Sequence, residues 1–166
     1  MYKTIDDFVN DWKNESASTL KIFKALTNAS LSTKVSAEGR TLGFLAWHIA
    51  LTLGEMGGKA GLTINAPVEN TPEPTSAAAI AAAYEIAAKS ISDDIQKKWN
   101  DAMLKEEIEM YGEKWTRSVT LASLVKHEIH HRAQMTVLMR QAGLKVPGVY
   151  GPSKEEWSQY GMPPMK

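Results

Sequence analysis

Residues 126 to 135, KHEIHHRAQM, hold three of the chain's four histidines within five positions. On a helix turning about 100° per residue, His127 and His131 project along nearly one line. One turn separates them, about 5–6 Å, a spacing at which two imidazoles can share one metal ion. The string HEIHH also satisfies HExxH, with Glu128 where a zinc protease keeps its general base. Spacing alone leaves three readings open: a shared-metal site, a metalloprotease site, or a polar helix face without chemistry.

A third imidazole, His48, sits at the edge of a helical stripe formed by Leu42, Leu45, Ile49, Leu53 and Met56. His127 and His131 lie at the margin of a second stripe, carrying Leu121, Leu124, Met135, Leu138 and Ala142. Bundles build metal sites from side chains on facing helices, so His48, His127 and His131 form a candidate three-histidine centre. Three protein ligands with one open position is the catalytic pattern, whereas structural zinc fills all four. Gln134, three residues beyond His131, and Thr52, one turn from His48, are candidates for hydrogen bonds to the ligands or for substrate contact. Glu55 shares a face with His48 but stands about 10 Å along the axis, too far to join the same ion. It is assigned to a pocket mouth or to solvent. His130 points off the line of the pair and reads as a rim residue.

The protease reading is the runner-up. Glu128 precedes Arg132 by four residues, and an i,i+4 ion pair accounts for it without catalysis. The stretch HRAQMTV lacks the glycine and histidine of the metzincin extension. Glu155 and Glu156 are conceivable ligands of another arrangement, but Ser153 to Glu156 fits a capping box, and no strand-rich segment is available to hold an extended peptide. Among the tryptophans, Trp12 falls in an apolar helical pattern and reads as core. Trp47 lies away from the stripe, facing another helix, a partner or a pocket, and Trp157 anchors the tail.

Four long helices must position these residues. The first starts after a Thr4 cap with Asp6 and Asp7 in its first turn and reaches the region of Ala25 to Asn28. The second begins near Thr41 and is expected to end at Gly57, Gly58 and Gly61. After a proline loop, Pro67 to Pro74, Thr75 or Ser76 caps an alanine-rich third helix. The stretch from Asn100 to Trp115 is ambiguous, and EIEMYGEKW reads as a short extended link. The fourth helix starts near Ser118 to Thr120, runs to Gln141 and stops at Gly143. One short helix and an irregular, proline- and glycine-punctuated tail follow. The fold expected is all-α, a four-helix bundle forming a single domain over residues 1–166.

Composition narrows the function classes. A chain of 166 residues buries a core without staples, so a metal here serves function more than folding. Nineteen basic and nineteen acidic residues cancel, and no global field draws the chain to nucleic acid or an anionic membrane. There is no cysteine, which removes disulfides, thiolate nucleophiles and thiolate ligands together. Any transition metal must be held by imidazole and oxygen. Without a signal pattern or a membrane-length apolar run, a soluble cytoplasmic protein is expected.

The combination of HEIHHRAQ, the lone histidine of WHIA and a terminal PGVYGPSKEEW resembles the DinB-like (damage-inducible) superfamily of four-helix bundles. The resemblance spans nearly the whole chain. Ala133 stands where that family often has glycine, a small-for-small change. In such proteins a histidine of the second helix and the outer two of an HxxxHRGQ-type motif bind a divalent metal, which maps onto His48, His127 and His131. The resemblance implies Zn²⁺ or Ni²⁺, and transferase or isomerase chemistry on a small molecule with a low-molecular-weight thiol as cosubstrate. It also implies homodimers, and it does not imply nucleic-acid binding. A passive metal-binding or dimeric interaction protein is the alternative from another class.

Overall fold

The computed structural model describes residues 1–164; the last two residues of the tail and of the single-domain expectation lie outside them. Its four long helices are α1 (Ile5–Lys24), α2 (Leu42–Lys59), α3 (Ala77–Lys98) and α4 (Arg117–Gln141). α1 packs on α3 and α4, and α2 packs on the same two, so α1 and α2 stand diagonally across the bundle. The core runs down the middle, with Phe8 stacked on Trp12 at 5.9 Å and Phe23 against Tyr84 at 4.9 Å. Trp12 also donates its indole N–H to the Ala88 carbonyl at 2.9 Å. Burying each such ring contributes about 1.5–3 kcal/mol.

Local chemistry sets the helix ends. Thr4 Oγ1 accepts from the Asp7 amide and the Asp7 carboxylate accepts from the Thr4 amide, each at 3.0 Å, a reciprocal cap. Thr41, Ser76 and Thr116 each accept from the amide three residues on. α4 therefore begins at Arg117, one residue before the expected start. Gly143, at φ 74°, ends it as expected.

Three expectations need correction. Gly57 and Gly58 do not end α2, which continues to Lys59 and stops before Gly61 at φ 83°. Gly57 is small because a Cβ there would lie 2.5 Å from Ile64 Cγ1. The extended link is a two-stranded hairpin, β1 (Glu107–Met110) and β2 (Glu113–Thr116), paired antiparallel with Glu107 opposite Thr116. Tyr111 and Gly112 both take positive φ, 55° and 81°, the two-residue turn that matches strand twist. The short final helix is a single 3-10 turn, Trp157–Tyr160. Only half of its capping box forms: Glu156 accepts from the Ser153 amide at 3.2 Å while Ser153 Oγ finds no partner. Trp47 is buried and donates to the Thr71 carbonyl at 2.8 Å, so the proline loop covers it.

Candidate metal centre

The α2–α4 contact brings His48, His127 and His131 to one point. His48 Nε2 lies 3.1 Å from His127 Nε2, and His131 Nε2 lies 3.2 Å from the same atom. The rings are steeply inclined to one another, with interplanar angles of 62°, 86° and 77°. A tetrahedral ion with metal–nitrogen bonds of about 2.0–2.1 Å separates its ligand nitrogens by about 3.3 Å. Two of the three donor separations thus match that spacing, all three donor atoms lie within 4.8 Å of one another, and imidazole suits both zinc and nickel. Among the described residues no other histidine or carboxylate joins the group. The three-histidine group could hold a metal ion.

Surrounding residues prepare the ligands. Gln134 Oε1 lies 2.8 Å from His131 Nδ1, and since an amide oxygen only accepts, that nitrogen carries the proton. His131 Nε2 is left with its lone pair aimed at the centre. The Gln134 amide nitrogen meets His130 Nε2 at 3.1 Å, which gives the rim histidine a task that spacing does not reveal. Phe44 stacks on His48 at 5.8 Å and 10°. Thr52 donates its hydroxyl to the His48 carbonyl at 2.8 Å.

Burial holds the imidazoles neutral, the form that binds metal. His127 is pushed down to about 4, chiefly by burial and then by the charges of His131, His48 and His130. His48 is lowered by burial, then by His131 and Arg40, with Glu55 opposing. His131 is lowered by burial and by His130 and Arg40, against the Gln134 hydrogen bond. Arg40 and Phe44 belong to the site, yet nothing in their sequence spacing marked them beyond Phe44 standing four residues before His48.

Glu128 and Arg132 do not pair with each other, contrary to the i,i+4 expectation. Both are buried and face α1, whose Glu15 and Thr19 supply other partners. Arg132 Nη2 donates to Glu15 Oε2 and to the Tyr150 hydroxyl, each at 2.6 Å. Glu128 Oε1 accepts from Thr19 at 2.7 Å and from Tyr84 at 2.8 Å, and Glu128 Oε2 is buried without a partner. Desolvation pushes Glu128 up to about 7. A general base must reach the water it activates. Glu128 instead points between α1 and α3, and HExxH is a coincidence of spelling here.

The model of the DinB family matches residues 1–163. This chain belongs to the DinB family. It is 41% identical over 162 residues to the uncharacterized protein YrdA of Bacillus subtilis (strain 168), covering 98% of this chain and 97% of that one. A crystal structure of a DinB-like protein from Bacillus cereus ATCC 10987 superposes with a TM-score of 0.87 at 40% identity, over 90% of this chain and all of the other. The DinB-like protein YjoA of Bacillus subtilis shares the fold at 19% identity and a TM-score of 0.67, over 86% of this chain and 97% of that one. No helix among the described residues is long and apolar enough to cross a membrane.

Proposed function

We propose that this DinB-family chain binds one Zn²⁺ or Ni²⁺ through His48, His127 and His131 and acts as a metal-dependent transferase on a small molecule, with a low-molecular-weight thiol as cosubstrate. The observation that carries this reading is the convergence of three Nε2 atoms with no further histidine or carboxylate in the group among the described residues. A bound ion would supply Lewis acidity, lowering the pKa of a thiol or water at its open position.

The chain's own residues do the rest. Gln134 sets the tautomer and direction of His131, Phe44 shields one face of His48 from water, and burial keeps all three rings unprotonated near neutral pH. Because there is no cysteine, the sulfur nucleophile must arrive from solution. The test is to load the protein with Zn²⁺ or Ni²⁺, quantify the metal, and screen thiol–electrophile pairs for metal-dependent loss of free thiol. Thiol consumption that follows metal loading supports the reading. One tightly held ion that no thiol or water exchanges with would favour a passive metal-binding protein.

A further inference from the structure

Arg40 is the one arginine of the described residues without a carboxylate partner. Arg117 meets Glu106, Arg132 meets Glu15 and Arg140 meets Glu155. Arg40 instead holds its guanidinium 4.9 Å from the centroid of Phe44, the ring stacked on His48. Through Phe44, Arg40 stands on the His48 side of the centre. That side is hollow. A cavity of about 360 Å³ is lined by Val35, Gly39, Arg40, Leu45, Gln134 and Leu138. Gln134 is the shared wall, since its amide oxygen also holds His131.

A cation with no counter-charge, beside apolar Val35, Leu45 and Leu138 and next to the convergent imidazoles, matches one kind of ligand. We propose that Arg40 binds the anionic end of the substrate, so that the site takes small molecules bearing a carboxylate, a short apolar chain and a metal-seeking group such as a thiol. The guanidinium forms paired N–H···O bonds to a carboxylate that a neutral amide cannot reproduce. The apolar side chains cover the connecting methylenes, and the metal-seeking end reaches the three histidines. The inference rests on the metal-centre reading above and assigns its substrate class.

The test uses zinc-loaded protein and calorimetric titration with 6-mercaptohexanoate and with its neutral amide, with zinc content measured in parallel. The wild type is expected to prefer the acid at least about fivefold, less at high salt. Arg40→Gln should bind acid and amide equally with zinc content unchanged, and Arg40→Lys should keep part of the preference. Equal affinity for acid and amide in the wild type, or an undiminished preference in Arg40→Gln, overturns the assignment. If the protein holds no zinc, the metal-centre reading fails separately. Hexanoate against hexanamide is then titrated into the metal-free protein while following the Arg40 side-chain N–H resonance. A shift specific to the carboxylate supports the anion subsite, and its absence overturns it.

Discussion

Gln134 joins His131 to His130: its amide oxygen lies 2.8 Å from His131 Nδ1 and its amide nitrogen 3.1 Å from His130 Nε2. An exposed glutamine therefore determines which nitrogen of a buried imidazole is free for a metal. Gln134→Leu removes the acceptor and is expected to weaken zinc binding about 10–100-fold. Gln134→Glu, which still accepts, should retain most of the affinity. Competition against a chromophoric chelator reads both, and unchanged affinity in Gln134→Leu would remove the orienting role.

The buried Glu15–Arg132 pair ties α4 to α1, and Tyr150 ties the tail to both. Arg132→Met leaves the Glu15 carboxylate buried and unpaired, so a loss of about 3–5 kcal/mol is expected in urea unfolding. Tyr150→Phe removes one hydroxyl from the cluster and should cost about 1 kcal/mol. Equal losses from the two variants would contradict the ranking.

Two adjacent groups give the metal-free protein opposite pH slopes. His127 falls from its ordinary 6.5 to about 4, so the unfolded chain binds more protons in that interval and stability drops as pH falls through it. Glu128 rises from 4.5 to about 7, so the native chain holds the extra proton and its contribution is lost as pH climbs from 4.5 to 7. His127→Gln should flatten the first slope and Glu128→Gln the second. Urea midpoints across pH 4 to 8 show whether each substitution removes its own slope and spares the other.

Neighbouring glycines of α2 should respond with opposite signs. Gly57→Ala drives a methyl to 2.5 Å from Ile64 Cγ1, with an expected cost of about 1–3 kcal/mol. Gly58→Ala meets nothing within 4 Å and should gain about 0.5–1 kcal/mol from helix propensity. Thermal unfolding of the pair decides, and stabilisation by Gly57→Ala would contradict the close approach of Ile64.

What was legible in the sequence is what local chemistry decides. The cap at Thr4, the stop at Gly143 and the shared line of His127 and His131 follow from spacing within one or two turns. That His48 meets the pair depends on which helices become neighbours, and it was reached by pairing apolar stripes together with the family resemblance. The largest misses are long-range. Arg132 chose Glu15, 117 positions away, over its neighbour Glu128. Gly57 answers to Ile64 across a loop. The hairpin was obscured by Tyr111 at a turn position that glycine or asparagine usually takes. There the Tyr111 ring lies 5.3 Å from Lys59 Nζ.

The most direct measurement of the central claim is metal stoichiometry in the wild type and in His48→Ala, His127→Ala and His131→Ala, by elemental analysis after equilibration with Zn²⁺ at neutral pH. One ion per wild-type chain is predicted, with each single substitution lowering the bound fraction severely while the helical signal persists. Any one of the three variants retaining a full equivalent of tightly bound zinc would contradict the assignment of these histidines as the ligand set.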